Sequence, residues 1–120
     1  MKPTLSGTGF GWIDVEDQRI SHDILIHLDG MVAKRKKKLS KEIYGTSHMI
    51  SLAEAEYIYQ EGAGILVIGA GYFGRVRLSP EAAVYFQEKD CQVDIYPTTR
   101  AISIWNESDG KVIGLFHITC

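Results

Sequence analysis

The stretch Ile65-Leu66-Val67-Ile68, followed by Gly69-Ala70-Gly71-Tyr72-Phe73-Gly74, decides the fold. Its four apolar residues, three of them β-branched, predict a strand that is buried on both faces. The glycines form a G-x-G-x-x-G string, which is typical of dinucleotide-binding folds when a helix opens directly on it. Here the next helix signal, Ser79-Pro80, comes five residues after Gly74, and residues 75–78 have an extended pattern. The sequence therefore predicts a tight exit from a buried strand, with no cofactor.

Composition and charge indicate one ordinary globular domain. The chain has 120 residues, of which 45% are apolar and 23% are charged, and its formal net charge is −2. This length is enough for a real core, and this charge gives no reason to expect general attraction to nucleic acid or to a membrane. No apolar run approaches the roughly 20 residues of a membrane-spanning helix, and the first residues lack the apolar core of a signal peptide. Cys91 and Cys120 lie far apart and indicate no disulfide framework. We therefore expect a cytoplasmic protein with reduced thiols.

The first part of the chain predicts a β-hairpin region over residues 10–33. Residues 1–9, which contain Ser6, Gly7, Thr8 and Gly9, predict a flexible arm. Strands are predicted at 10–15, 23–28 and 31–33. The dipeptide Asp29-Gly30 suits the tight turn between the last two, because glycine accepts a positive φ angle.

The remaining residues, 44–120, predict an α/β core. Helices are predicted to begin at Ser51, at Ser79-Pro80 and at Pro97, and further strands are predicted at 92–96 and 112–119. A right-handed crossover makes strand 92–96 parallel to strand 65–68. The last strand is apolar on both faces and is expected inside the sheet. Its direction stays open, and Cys120 reaches the carboxyl edge of the sheet only if that strand is parallel to 65–68. The pattern predicts a three-layer α/β domain with a mixed sheet, an N-terminal β-hairpin and packed helices.

A basic loop is predicted between these two regions, over residues 34–43. Six of the chain's 13 basic residues lie in it, namely Lys34, Arg35, Lys36, Lys37, Lys38 and Lys41. One interpretation is a solvated loop or a charged strand edge that discourages edge pairing. The other is a phosphate-facing patch for RNA or DNA. The run contains no aromatic residue on which a base could stack, which favours the first interpretation.

Several polar residues are expected at the carboxyl edge of the sheet. The helix that starts near Ser51 leads into strand 65–68 and runs antiparallel to it, so its N-terminus lies by the carboxyl end of that strand. Ligands favour this edge in open α/β sheets, and helix N-termini with free amides suit a carboxylate or a phosphate. The candidate ligand-binding residues are His48, Ser51, Gly69, Gly71, Thr98, Thr99 and Arg100. In the alternative interpretation, Ser51 and Thr98 only cap helices.

No catalytic or metal-binding set stands out in the sequence. His117 and Cys120 are three positions apart in a predicted strand, so their side chains are expected on opposite faces. The four histidines lack metal-ligand spacing. Asp23, Ser47 and His48 would form an acid–nucleophile–base set only if the fold brought them together. The sequence therefore predicts no catalytic residue and no metal ligand, and it favours a protein that is not an enzyme.

Several segments in combination resemble a known family. They are Ser21-His22-Asp23-Ile24, His27-Leu28-Asp29-Gly30, Tyr44-Gly45-Thr46-Ser47-His48, Val67-Ile68-Gly69-Ala70-Gly71, Pro97-Thr98, Ala101-Ile102, Asn106-Glu107 and Phe116-His117-Ile118-Thr119-Cys120. Together they resemble a family of small uncharacterised α/β domains whose structural prototype is a methanogen hypothetical protein. Its eukaryotic relatives include an adipogenesis-associated domain protein and, more distantly, a mitochondrial complex I assembly factor.

The resemblance implies a three-layer fold on a mixed five-stranded sheet with the last strand at its centre. It implies no established activity and no catalytic residues, and the lysine-rich stretch at 34–41 looks most like archaeal members. Three functional hypotheses follow. The first is a non-enzymatic binding or assembly module with an unknown protein partner. The second is a protein, with an enzyme among the alternatives, that binds a small molecule or an anion at the carboxyl edge. The third is an RNA-associated protein that uses Lys34–Lys41. The oligomeric state stays open, with a homodimer among the alternatives.

Overall fold

The chain folds into strands and helices that alternate over much of its length, and the predicted buried strand at 65–68 is one of them. A computed structural model describes residues 2–120. The described residues form ten strands: β1 (Leu5–Gly9), β2 (Trp12–Val15), β3 (Gln18–Ile20), β4 (Ile24–Ile26), β5 (Val32–Lys34), β6 (Met49–Ile50), β7 (Ile65–Ala70), β8 (Arg77–Leu78), β9 (Gln92–Tyr96) and β10 (Val112–His117). The same part of the chain forms four helices: α1 (Lys38–Tyr44), α2 (Leu52–Ile58), α3 (Pro80–Glu88) and α4 (Thr98–Glu107). Within residues 2–120, no helix has both the length and the apolar character needed to cross a membrane.

A mixed five-stranded sheet forms the middle layer, in the order β5-β4-β10-β7-β9. The last strand, β10, lies at its centre, parallel to β7 and antiparallel to β4. The strand β9 is parallel to β7, as the right-handed crossover predicts. The predicted α/β fold with a mixed five-stranded sheet and a central last strand is confirmed. The direction of β10, which the sequence left open, brings the residues after His117 to the same edge as those after β7.

Two hydrophobic cores lie on the two faces of this sheet, because successive side chains of a strand point to opposite faces. On one face, Leu66 packs with residues of α2 and α3 that include Phe86. On the other face, Val67 packs with Trp105 of α4 and with residues of the N-terminal strands. Helices α2 and α3, the sheet, and α4 with the N-terminal strands are therefore the three layers.

The N-terminal segment forms a second sheet where a flexible arm was expected. The strands β1, β2 and β3 make an antiparallel sheet, and β1 lies within residues 1–9. Leu5 of this strand is buried, and Asn106 of α4 exchanges two hydrogen bonds with its backbone, at 2.9 and 2.8 Å. The predicted strand 10–15 is also shorter than expected, because the chain turns at Gly11 with a φ of 90°. Contacts with distant residues thus order a segment whose local composition indicates flexibility.

The predicted basic loop at 34–43 is only partly a loop. Lys34 ends β5, which pairs with β4 through a turn at Gly30, where φ is 87°. This hairpin at Asp29-Gly30 agrees with the prediction. Helix α1, however, begins at Lys38, and the buried residue that anchors it is Ser40. The sequence does not indicate this helix, because a buried hydroxyl rather than an apolar stripe makes its contact.

The glycine string after β7 makes a tight turn, and no helix opens directly on it. Gly71 and Gly74 have φ angles of 96° and 68°, and the amide of Val76 donates back to the carbonyl of Ala70 at 3.0 Å. The chain then forms β8, which pairs with β6 in a short parallel ladder. Helix α3 begins only at Pro80. The predicted tight exit from β7 is therefore observed.

Replacing Gly71 by alanine is expected to destabilise the fold more than replacing Gly45 by alanine. Both glycines have positive φ angles, so alanine is strained at either position. Only at Gly71 would the new Cβ also meet backbone, at 2.6 Å from the carbonyl carbon of Cys120, whereas nothing lies within 4 Å at Gly45. We expect the free energy of unfolding, measured with urea, to fall by about 1–3 kcal/mol more in Gly71→Ala than in Gly45→Ala. Equal losses in the two variants would contradict this account of the turn.

Candidate functional site

A buried ion-pair network lies beside the lysine-rich segment. The side chain of Arg35, directly after β5, is fully buried between the carboxylates of Asp23 and Glu54. Its Nη1 donates to Asp23 Oδ2 at 3.0 Å, and its Nε and Nη2 donate to the two oxygens of Glu54 at 2.6 and 3.1 Å. Nη2 also donates to the carbonyl of Ser47 at 2.7 Å. The sequence placed Arg35 in the basic loop, but its guanidinium is enclosed inside the protein and is not exposed to a nucleic acid.

Asp23 connects this network to the end of β10. Its Oδ2 lies 2.7 Å from Nδ1 of His117, and its Oδ1 accepts the amide of Ile118 at 2.9 Å. Burial alone would raise the pKa of Asp23, but His117, the Ile118 amide and Arg35 together lower it to about 2. Asp23 is therefore an ionised acceptor at neutral pH. Since an ionised carboxylate only accepts hydrogen bonds, the shared proton is on Nδ1 of His117.

Glu54 connects the other end of the network to two serines. The hydroxyl of Ser40 donates to Glu54 Oε1, and the amide of Ser51 donates to Ser40 Oγ at 2.9 Å. The hydroxyl of Ser51 accepts the amide of Glu54 at 3.1 Å and donates to the carbonyl of Leu39 at 2.8 Å. Ser51, a predicted ligand-binding residue, is thus the N-cap of α2, and its side chain joins α2 to α1.

Thr98 and the two glycines of the predicted edge site also contact one another, so they do not line an open site. The buried hydroxyl of Thr98 donates to the carbonyl of His117 at 2.6 Å and accepts the amide of Gly71 at 2.9 Å. At Gly69, a Cβ would lie 2.9 Å from that hydroxyl oxygen. The amide of Tyr72 donates to the carbonyl of Thr119 at 2.6 Å. The Gly71 amide, which was expected to be free for an anion, is therefore bound by Thr98, and the segment after β10 takes up the amide of Tyr72.

The last two residues of the predicted edge site lie on the surface at the first turn of α4. Thr99 and Arg100 are both exposed, and the guanidinium of Arg100 lies 5.0 Å from the ring centroid of Tyr96. The predicted set is therefore divided. His48 and Gly71 both adjoin His117, Ser51 is bound to α1, and Arg100 stacks on β9.

Three side chains that were not predicted to form a cluster lie close together at the carboxyl edge of the sheet. One ligand atom from each of His48, His117 and Cys120 lies within 4.8 Å of the other two. Cys120 Sγ is 3.6 Å from His48 Nε2, and the two imidazole rings are 5.5 Å apart in an edge-to-face arrangement. The expectation that His117 and Cys120 point to opposite faces was wrong. Strand β10 ends at His117, so the alternation of a strand does not extend to Cys120.

Burial is the main influence on the protonation of His48 and of the Cys91 thiol. Burial, followed by the neighbouring His117, Arg75 and Arg35, lowers the pKa of His48. Burial also raises the pKa of the Cys91 thiol to about 11, in the core on the opposite side of the sheet from α4. At neutral pH, His48 therefore favours its neutral form, and Cys91 is an unreactive packing residue.

A cavity of about 620 Å³ opens next to Asp23, and five of its eleven lining residues are lysine or arginine. The lining residues are Gly11, Ser21, His22, Asp23, Lys34, Arg35, Lys36, Lys37, Lys38, Ile118 and Thr119. Of the lysines, Lys37 lies 3.7 Å from Asp23, and Lys36 lies 4.6 Å from the ring centroid of Tyr57. Lys41, the sixth residue of the predicted basic loop, is exposed on α1 and does not line the cavity.

The sequence did not predict the buried ion-pair network, although two of its three charged residues have weak local signals of burial. Glu54 lies four positions before Ile58 and therefore shares its inward-facing side of α2, which is a sign that this carboxylate is buried. Asp23 directly precedes the wholly buried strand β4. Arg35 has no such signal, because its neighbours in the sequence are lysines.

By its fold, the chain is a small three-layer α/β domain, and it has a basic cavity at the carboxyl edge of the sheet. Residues 5–116 match the family described as protein of unknown function (DUF498/DUF598), and the chain belongs to that family. The resemblance to an uncharacterised family is confirmed at this level.

Solved structures of similar proteins share the whole fold. The chain is 30% identical to the protein MT938, with a TM-score of 0.82 over 99% of this chain and 100% of that one. It is 28% identical to the conserved hypothetical protein PH1505 from Pyrococcus horikoshii OT3, with a TM-score of 0.88 over 98% and 99% of the two chains. A protein from Bordetella parapertussis, 20% identical over 98% of this chain and 96% of its own, has a TM-score of 0.78 and shows the common fold alone.

Replacing Arg35 by methionine is expected to cost about 3–5 kcal/mol in the free energy of unfolding, because it leaves two buried carboxylates without their cation. The matched control is Arg77→Met, which removes an exposed arginine of β8. The control should change stability by no more than about 0.5 kcal/mol. Both values can be measured by urea denaturation followed by circular dichroism. A loss below about 1 kcal/mol in Arg35→Met would be too small for a buried ion-pair network of this kind.

Proposed function

We propose that this protein is a non-enzymatic binding module that holds a small anionic ligand in the basic cavity. The observation that carries the proposal is the charge of the lining. Lys34, Lys36, Lys37 and Lys38 line the cavity, whereas Asp23 is the one carboxylate among the lining residues. Asp23 already accepts hydrogen bonds from Arg35 and His117, so the lysines leave the cavity with an excess of positive charge.

The size and the polar groups of the cavity favour a metabolite with at least two negative charges. Its volume of about 620 Å³ lies within the range of about 300–1,000 Å³ that is usual for small-molecule sites. Ser21, His22 and Thr119 add hydrogen-bonding groups to the lysines. Lysines bind phosphates and carboxylates through charge-assisted hydrogen bonds, which are about twice as strong as neutral ones. A phosphorylated or multiply carboxylated metabolite fits this description.

Binding of inorganic pyrophosphate and of citrate tests this proposal. The double variant Lys34→Gln with Lys38→Gln keeps the contact of Lys36 with Tyr57 and that of Lys37 with Asp23, so the fold should be retained. We expect its affinity for the better probe, measured by isothermal titration calorimetry, to fall about tenfold or more, because each charge-assisted bond contributes about 1.5–3 kcal/mol. The matched control Lys89→Gln, which removes a lysine stacked on Tyr59 and Tyr85, should bind like the wild type.

Two outcomes of this experiment would overturn the proposal. One is that the wild type binds neither pyrophosphate nor citrate at low salt. The other is that Lys89→Gln loses as much affinity as the double variant, which would indicate general charge attraction. Salt-dependent retention on mixed RNA, lost in the double variant, together with no binding of either small anion, would replace the proposal by the RNA-associated function through Lys34–Lys41.

A second candidate function, assembly with a protein partner, is favoured by an aromatic surface patch. Phe10, Tyr72 and Phe73 are 57%, 48% and 67% exposed. The ring of Tyr72 lies between the other two, with centroid distances of 6.0 Å to Phe10 and 5.8 Å to Phe73. Aromatic residues are enriched in protein interfaces and among their hot spots. The resemblance to a family whose distant relatives include a complex I assembly factor also supports this role.

A pull-down from the native host tests the assembly function. The double variant Phe10→Ser with Phe73→Ser should lose a protein that co-purifies with the wild type, as judged by mass spectrometry. Val84→Ser, which removes an exposed valine of α3, should retain it. If no protein co-purifies with the wild type and only small molecules do, the assembly function fails while the anion-binding function stands.

The origin and the location of the protein are part of the same proposal. We place it among the archaeal members of the family, in the cytoplasm. The similarity to PH1505 of Pyrococcus horikoshii and the lysine-rich stretch at 34–41 support this placement. Fractionation of the native host with an antibody to the chain tests it, and recovery with the membrane fraction would contradict the cytoplasmic location.

A further inference from the structure

The cluster of His48, His117 and Cys120 has the geometry of a metal site. Zinc binds sulfur at about 2.3 Å and imidazole nitrogen at about 2.0–2.1 Å in a tetrahedron, so these two ligand atoms lie roughly 3.6 Å apart when both hold one ion. Cys120 Sγ and His48 Nε2 are 3.6 Å apart. All three ligand atoms lie within 4.8 Å of one another, so small rotations of the side chains bring them to one ion. We propose that these residues bind a divalent transition-metal ion of the zinc type.

The partner of His117 is the second observation that points to a metal. Histidines that bind metals usually donate their other ring N–H to a carboxylate, which fixes the tautomer and makes the free nitrogen a better ligand. His117 has this arrangement already, since its Nδ1 lies 2.7 Å from Asp23 and its Nε2 is the remaining ring nitrogen. Arg35 and the amide of Ile118 hold Asp23 in turn. The hydroxyl of Thr119, now 3.1 Å from Nε2, would give way to the metal.

The donor set and its exposure define the class of ion. Two imidazoles and one thiolate select zinc-like or cobalt-like ions over magnesium and calcium, which prefer oxygen ligands. His117 is buried, whereas His48 and Cys120 are partly exposed, so an ion can enter from the surface. Three protein ligands leave a fourth position of a tetrahedron open to water or to another small ligand. Binding deprotonates the Cys120 thiol and releases one proton.

The proposal goes beyond anion binding and can fail independently of it. None of the four cavity lysines is among the three ligands. The probe is Co²⁺ alone, added to reduced protein that has been treated with a chelator. We expect a single Co²⁺ per chain, an ultraviolet thiolate-to-Co²⁺ charge-transfer band, and loss of that band when Zn²⁺ is added. Zn²⁺ should also protect Cys120 from alkylation, as read by mass spectrometry of the labelled peptides.

Variants identify the ligands. Cys120→Ser should abolish the charge-transfer band, and His48→Ala should lower the affinity for Co²⁺ by at least tenfold. The control Cys91→Ser should leave both unchanged, because that thiol is buried in the core away from the cluster. Asp23→Asn, which acts through His117, is expected to weaken Co²⁺ binding by about 10–100-fold while His117 still binds.

Any one of three results would contradict the proposed metal site. They are the absence of a charge-transfer band in the wild type, a band that persists in Cys120→Ser, or Co²⁺ affinity that is unchanged in His48→Ala. Circular dichroism of each variant shows whether it is folded. If Asp23→Asn does not fold, the partly exposed His48 and Cys120 decide the outcome, because their replacement leaves the buried network intact.

Discussion

The ionised carboxylate of Asp23 is the constraint on which the rest of the structure depends. A buried charge is costly unless it is paired and hydrogen-bonded. Asp23 meets this need with groups from separate elements, namely Arg35 after β5 and His117 with the amide of Ile118 at the end of β10. Arg35 then reaches Glu54 of α2. These hydrogen bonds thereby fix the edge strand β5, the central strand β10 and helix α2 relative to one another.

The path of the chain after β10 follows from that arrangement. With His117 and Ile118 held by Asp23, the residues that follow lie against the turn after β7, where Thr119 accepts the amide of Tyr72. Gly71 is required there because a Cβ would meet the backbone of Cys120. The carboxyl edge, which is often the ligand site of an α/β sheet, is thus partly filled by the chain itself. The open volume is the cavity lined by Asp23, by Ile118 and Thr119 of this segment, and by four lysines.

Much of the fold, and little of the site, could be predicted from the sequence. The buried strand at 65–68, the caps at Ser51 and Ser79, and the position of the last strand inside the sheet all follow from local patterns. The burial of Arg35 does not, because its difference from the neighbouring lysines depends on Glu54, 19 residues further on. The direction of β10 could not be predicted either, because a strand that is apolar on both faces can pack inside a sheet in either direction. That direction decides whether Cys120 meets His48, 72 residues earlier in the chain.

The network is better explained by the orientation of groups than by stability. Apolar residues of similar volume in place of a buried ion pair often leave a protein equally stable or more stable, because the charges no longer need to be desolvated. What apolar residues cannot supply is a fixed, ionised acceptor. Asp23 provides one, because its Oδ2 lies 2.7 Å from Nδ1 of His117 and 3.7 Å from Nζ of Lys37, which lines the cavity. A carboxylate held in this way sets the tautomer of a histidine and contributes to the electrostatic field inside a basic cavity at the same time. An apolar core of equal stability would set neither, so the cost of burying this charge is explained by the two polar sites that it positions.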